Sequence, residues 1–257
     1  MAVPLPQADL AEVSAGGCGG AARMSVKERR KGHRKRLPDW FRTSLPTGIA
    51  QVRFNETKAN VSEHGLHTVC EEARCPNIHD CWGRGTATFM VAGEVCTRGC
   101  RFCAVGTEKV PPPLNPEEPT ELAEAVDRMG LTHVVITVVN RDDLSDGGAA
   151  HYRACIEAIH ERSPEVGLEL LCSDLDGNLD ALAELLEDLP LRVFAHNVEC
   201  IPRLDSMVRD ARASFEQSLR VLSEAHRLRP DIRIKSSIMV GIGESDEEVV
   251  DAMRLLR

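Results

Sequence analysis

The sequence predicts an α/β fold: a parallel sheet of about five strand–helix units, open or curved into a barrel, behind an N-terminal cysteine-rich extension. Three observations carry this. From residue 86 onward, short β-branched apolar runs alternate with stretches of helical period, the pattern of right-handed βαβ crossovers. The 257 residues are 42% hydrophobic and 28% charged, an ordinary soluble composition with enough apolar content for a sizeable core. Six of the ten cysteines fall between residues 70 and 103.

The elements follow in order. Strands are expected at Thr88–Gly93, His133–Val139, Leu168–Cys172, Arg192–Val198 and Ile232–Gly241. Helical periodicity fills the gaps at Thr120–Met129, Gly148–Arg162, Leu179–Leu189 and Ser214–Leu228. Gly130 and Pro190 mark helix stops, and Ser245 with Glu248 makes a capping-box pattern that opens a final helix. In such sheets the chemistry gathers at the carboxyl ends of the strands. Residues 86–257 are thus expected to form the sheet and residues 37–85 the cysteine-bearing extension. Residues 1–36 read as a disordered leader ending in KERRKGHRKR, a solvated basic run.

Composition removes several functions. Lys plus Arg number 31 against 40 Asp plus Glu, a net charge of −9, and aromatics make up only 4%. Both disfavour nucleic acid as a partner. No apolar run approaches the roughly 20 residues of a membrane helix. Residues 1–20 lack the basic start and apolar core of an export signal, so a reducing, cytoplasmic setting is expected. Clustered cysteines there bind metal rather than pair.

The loop Cys96-Thr-Arg-Gly-Cys100-Arg-Phe-Cys103 follows the first expected strand directly. Three thiolates on one loop can converge on a single inorganic centre. Three cysteines for a four-iron cubane leave one iron open to a substrate or cofactor. Structural zinc needs a fourth ligand, and none stands nearby at zinc-finger spacing. Gly99 is expected to let the backbone approach the centre closely, and Arg98 and Arg101 to offset its negative charge. Upstream, Cys70, Cys75 and Cys81 form a second trio, with Pro76 and Asn77 as turn residues and His79 as a weaker ligand candidate. One cubane per trio is the economical assignment. Cys155, Cys172 and Cys200 read as core or rim residues.

The C-x3-C-x2-C loop resembles the signature of the radical S-adenosylmethionine (SAM) superfamily. More narrowly, LHTVCEEARCPNIHDCW and GTATFMVAGEVCTRGCRFCAV resemble the lipoyl synthase family. So do LPDWFRTSLPTG, VVITVVNRDDLSDGGAAHY, VFAHNVECIPRL and IKSSIMVGIGE, and the likeness runs from about residue 37 to 257. It implies a partial barrel of radical SAM type. It also implies a SAM-binding 4Fe-4S cluster on Cys96, Cys100 and Cys103, and an auxiliary 4Fe-4S cluster on Cys70, Cys75 and Cys81. The implied reaction inserts sulfur at C6 and C8 of a protein-bound octanoyl chain, through deoxyadenosyl radicals and sulfide from the auxiliary cluster. Asn140 and Asp142 after the second strand, Asn197 and Glu199 after the fourth, and Lys235 in the fifth are the expected SAM-binding residues. Gly241 and Gly243 are expected to admit adenine. The implied partners are an octanoylated lipoyl carrier protein, a low-potential electron donor and iron–sulfur cluster assembly proteins. Charge alone suggests that the basic run steers an acidic carrier.

The sequence also departs from the family pattern. Ala195 stands where the family has Asn, and LCSDLDGN replaces a PDF-like motif. The chain stops at Arg257, before the expected sixth strand and the Arg-Ser-Ser-Ser-like motif whose serine ligates the family's auxiliary cluster. Ser236 and Ser237 belong to the fifth strand and are not given that role. The alternative readings are a radical SAM sulfurtransferase on another alkyl substrate and an inactive truncated iron–sulfur or zinc protein.

Overall fold

The computed structural model describes residues 45–63, 68–72 and 75–257. The leader with its basic run lies outside the described residues, as does most of LPDWFRTSLPTG. Helix α1 (Ile49–Glu63), the single turn α2 (Val69–Glu72) and α3 (Ile78–Gly83) form the extension. α1 packs on α3 through Phe54, whose ring centroid lies 4.6 Å from that of His79 and 5.8 Å from that of buried Trp82. The approach needs glycine at position 83, where a Cβ would lie 3.1 Å from the Ala50 carbonyl oxygen. His79 is thus part of an aromatic contact.

The first long strand, β1 (Thr86–Val91), leads into two short ones, β2 (Val95–Cys96) and β3 (Gly106–Thr107), which pair with each other in parallel. Then follow α4 (Glu118–Met129), β4 (His133–Val138), α5 (Ala149–Arg162), β5 (Gly167–Leu171) and α6 (Leu179–Leu186). The chain continues through β6 (Val193–Ala195), α7 (Asp205–Val208), α8 (Phe215–Leu228), β7 (Arg233–Lys235) and α9 (Asp246–Leu255). The five longer strands make one parallel sheet in the order β1-β4-β5-β6-β7. β1 and β7 are its two edges, so the barrel is partial.

Side-chain alternation gives this sheet two different faces. Ala87, Phe89, Val134, Ile136, Leu168, Leu170 and Phe194 point outward and are buried with Val126 of α4, Ile156 of α5, Leu182 of α6 and Val221 of α8. Burying each large apolar side chain there stabilises the fold by roughly 1.5–3 kcal/mol. On the inner face, register aligns Met90, Thr137, Leu171, Ala195 and Lys235 in one layer across all five strands.

Strand–helix alternation is as the periodicity predicts, but the strands are shorter at several ends. β1 stops at Val91 because Ala92 (φ 68°) and Gly93 (φ 96°) turn left-handed. The stretch expected at Arg192–Val198 pairs only over Val193–Ala195. The one expected at Ile232–Gly241 pairs only over Arg233–Lys235, with one further bridge between Glu199 and Ile238. The β2–β3 pair was not expected. The capping box is present: Ser245 Oγ accepts from Glu248 N at 3.3 Å and Glu248 Oε2 from Ser245 N at 2.8 Å. Among the described residues no helix is long and apolar enough to cross a membrane.

Candidate functional site

The carboxyl ends of β1, β4, β5 and β6 surround a cavity of about 280 Å³. That is near the lower end for small-molecule sites. Its floor is apolar, with Met90, Thr137 and Leu171 from the inner sheet layer. Its rim carries Cys96, Cys100 and Cys103, and Val69, the neighbour of Cys70, lies on the same wall.

The cysteine loop is pinned by its surroundings. β2 and β3 bracket it, with Glu108 N donating to Cys96 O at 3.1 Å. Two of its sulfurs already accept backbone hydrogen bonds. Cys96 Sγ accepts from Arg98 N at 3.4 Å and from Asn140 N at 3.3 Å, and Cys100 Sγ accepts from Asp210 N at 3.3 Å. Donors aimed at sulfur are the surroundings that an iron–sulfur cluster uses, since they stabilise thiolate charge. The donor set and its hydrogen bonds therefore fit such a cluster.

Arg98 takes a different part from the one expected. Its side chain is 1% exposed and its guanidinium bonds Asp142 at 2.7 Å, Asp174 at 2.7 Å and Asp176 at 3.1 Å. Burial opposes its charge, but Asp142 and Asp174 outweigh this and hold its pKa above the ordinary arginine value. Arg98 lines the cavity beside Asp174, and its charge there is shared with these carboxylates. Gly99 has no positive φ, and among the described residues the nearest atom to a Cβ there is Thr107 Oγ1 at 3.9 Å, so none of them fills the space beside it.

The five expected SAM-binding residues divide. Asn140, Asn197 and Glu199 line the cavity. Glu199 holds a left-handed φ of 65°, and burial pushes its carboxyl up. Asp142 does not line the cavity; it is held by Arg98, Thr97 and Arg212. Lys235 shares the inner layer with the cavity floor, but its ammonium bonds Glu169 at 2.7 Å. Gly241 and Gly243 have φ of 90° and 118° and lie outside the cavity lining, the amide of Gly241 donating to Glu244.

Sequence reasoning passed over His196, Asp174 and Arg209, all on the cavity wall. The Cys172 carbonyl can only accept, so His196 Nδ1–H donates to it at 2.9 Å, and Nε2 accepts from Ser218 Oγ at 2.9 Å. Burial lowers the His196 pKa and keeps the ring neutral. Arg209 Nη2 donates to the same Ser218 Oγ at 3.0 Å. His196 adjoins Asn197, so a strand-end position was the available signal; Arg209 follows a short helix and had none. Cys172 is buried yet lines the cavity, whereas Cys155 and Cys200 sit in the core.

In the extension, short backbone turns link the three cysteines: Cys75 N donates to Cys70 O at 3.0 Å, and Cys81 N donates to Asn77 O at 3.0 Å. Burial first, and then Cys70 and Cys75, push the Cys81 thiol up. Three sulfur donors on one short stretch are the soft donor type that an iron–sulfur or other thiophilic metal centre takes. Among the described residues, the one set of three ligand-type atoms within 4.8 Å of one another is Glu118, His151 and Cys155, and neither cysteine trio closes to that spacing. Glu118 is committed to His151 and to Ala92 N at 2.9 Å, while Arg141 Nη1 donates to Ala92 O at 3.2 Å. Together they brace the left-handed turn ahead of the cysteine loop.

Comparison with known proteins agrees with this geometry. A family model of the radical SAM superfamily matches residues 90–256, and one of the N-terminal domain of lipoyl synthase matches residues 21–75. The chain is 48% identical over 235 residues to the mitochondrial lipoyl synthase of Bos taurus, covering 90% of this chain and 62% of that protein. It is 51% identical over 220 residues to the lipoyl synthase of Thermus thermophilus, covering 86% of this chain and 67% of that protein. The chain thus spans less than two thirds of the length of the first of these relatives. Among solved structures, methylornithine synthase matches with a TM-score of 0.52 at 12% identity, over 82% of this chain and 57% of that one, a likeness of fold alone. By its cysteine loop, its partial barrel and these matches, the chain belongs to the lipoyl synthase family of the radical SAM superfamily.

Proposed function

We propose that this chain inserts sulfur at C6 and C8 of an octanoyl chain carried by a lipoyl carrier protein. Cys96, Cys100 and Cys103 would hold one 4Fe-4S cluster, and Cys70, Cys75 and Cys81 the auxiliary one. When bound, these clusters and SAM supply radical hydrogen abstraction from unactivated carbon and a source of sulfide. The observation that carries the reading is the cavity lined by all three loop cysteines and by Val69; Cys70, Cys75 and Cys81 do not themselves line it.

The protein's own part is binding and exclusion. Asn140, Asn197 and Glu199 offer polar groups to SAM at one side of the cavity. Met90, Val138 and Leu171 offer an apolar surface for an alkyl chain and keep water from the reacting carbon. His196, neutral and hydrogen-bonded on both nitrogens, shapes the wall without carrying charge. A carrier protein, a low-potential electron donor and a cluster assembly system are the partners this chemistry requires, in a reducing compartment such as the cytoplasm.

The test is anaerobic. The chain is reconstituted with iron and sulfide and given SAM, reductant and an octanoyl-lysine peptide, and the peptide is read by mass spectrometry. Two sulfurs in place of two hydrogens are expected. An unmodified peptide, with the Thermus thermophilus relative active in parallel, overturns the proposal.

A further inference from the structure

Resting on the reading of Cys96, Cys100 and Cys103 as cluster ligands, we propose that Asp210 and Arg212 are positioning residues. Together they form a clasp that holds the backbone of the cysteine loop in one shape without metal and keeps a hydrogen bond on the Cys100 sulfur.

The clasp reaches the loop from far along the chain, between α7 and α8. Asp210 N donates to Cys100 Sγ at 3.3 Å, and Asp210 Oδ2 accepts from Gly99 N at 3.0 Å, across 111 positions in sequence. Arg212 closes the clasp with three separate contacts. Its Nε bonds Asp210 Oδ1 at 2.9 Å, its Nη2 bonds Thr97 O at 2.6 Å, and its Nη1 bonds Asp142 Oδ2 at 2.9 Å. Val208 O adds a bond from Arg101 N at 2.9 Å. Residues 208–212 thereby grip Thr97, Gly99, Cys100 and Arg101, and every partner is a protein group.

Two consequences follow. Fixing a residue's backbone costs conformational entropy, so a loop already held loses less when a cluster binds. An N–H bond to a ligating sulfur also stabilises the more negative, reduced state, so losing it makes the potential more negative. Arg suits the clasp because its planar fork reaches three acceptors at once, which a lysine ammonium cannot match.

The test compares amide exchange in apo 257-residue chains: unaltered, Asp210→Ala, Arg212→Gln and Arg212→Lys. Arg203→Gln, which breaks the exposed pair with Glu248, is the control. Exchange about tenfold faster in residues 96–103 is expected for Asp210→Ala and Arg212→Gln. Arg212→Lys should show a smaller rise and the control none, with β4 and β5 unchanged throughout. In the iron-loaded chain the midpoint potential of the loop's cluster should move to more negative values in Arg212→Gln, which loosens the Cys100 bond and removes a positive charge. Unaltered loop exchange in both overturns the proposal. Should one variant loosen the whole chain, the other decides, because each breaks the clasp from a different side. Absence of iron from the loop of the unaltered chain strikes the cluster assignment instead, and exchange alone then judges the clasp.

Discussion

The two cysteine trios are held in opposite ways. The loop from Cys96 to Cys103 is tied by residues distant in sequence: Asn140 and Asp210 reach its sulfurs, and Arg212 its backbone. The trio from Cys70 to Cys81 is tied by neighbours. Cys75 N bonds Cys70 O at 3.0 Å, Ile78 N bonds Cys75 O at 3.2 Å and Cys81 N bonds Asn77 O at 3.0 Å. One site is shaped by the barrel and the other by short turns, which are marginal by themselves. On the proposed function, the second trio would gain more of its order from a bound cluster than the first.

The largest effects should separate the two trios by chemistry. Cys100→Ala is expected to abolish SAM cleavage altogether. Cys81→Ala is expected to leave SAM cleavage in place and to abolish sulfur insertion. Chromatography of cleaved SAM and mass spectrometry of the octanoyl peptide read the two steps. Equal loss of both steps in both variants would collapse the distinction.

Next come the charges behind each trio. Arg98→Ala strands the buried Asp174 carboxylate, while Asp142 keeps Arg212 and Thr97, and should cost about 3 kcal/mol. In the extension, Arg84 pairs with Asp80 at 3.1 Å on an exposed helical turn, so Arg84→Ala should cost about 0.3–0.5 kcal/mol. Urea unfolding measures both. A cost below 1 kcal/mol for Arg98→Ala would show that the network does not brace the barrel side.

Acid should act on the same network. Burial raises the Asp174 pKa, but Arg98 outweighs it and holds the carboxyl below the ordinary value of 3.8. A depressed folded-state pKa means that the stabilisation is complete at neutral pH and fades as pH falls through 3.8 toward the folded value. Asp174→Asn should therefore show a shallower loss of stability between about pH 5 and 3 than the unaltered chain. Parallel acid-unfolding curves would contradict this.

What was legible in the sequence follows the same division. Strand–helix alternation and the cysteine loop depend on local pattern, and both can be read from the residues. The expected strand ends at Val198 and Gly241 run past the paired segments because pairing depends on the neighbouring strand. Arg98 looked like a counter-charge for the cysteines because Asp174 is 76 positions away, beyond any motif. Asp142 was expected after the second strand and Lys235 within the fifth, and their charges answer Arg98 and Glu169. Spacing identifies residues that act together locally; it says little about which charge a distant segment will bring.

The smallest effects sharpen the contrast most. Thr107 Oγ1 donates to Arg98 O at 3.2 Å and so ties β3 back onto the cysteine loop. Thr107→Val removes that bond and should cost about 1 kcal/mol, with faster exchange confined to residues 96–103. Asn77 is the N-cap of α3 but makes no side-chain cap bond. Asn77→Ala should therefore fall well short of the typical capping loss of about 1 kcal/mol. Equilibrium unfolding and peptide-level exchange on the two variants decide the point. A larger cost for Asn77→Ala than for Thr107→Val would mean that the N-terminal trio is braced by its side chains as firmly as the barrel loop, and the proposed dependence on its ligand would lose its basis.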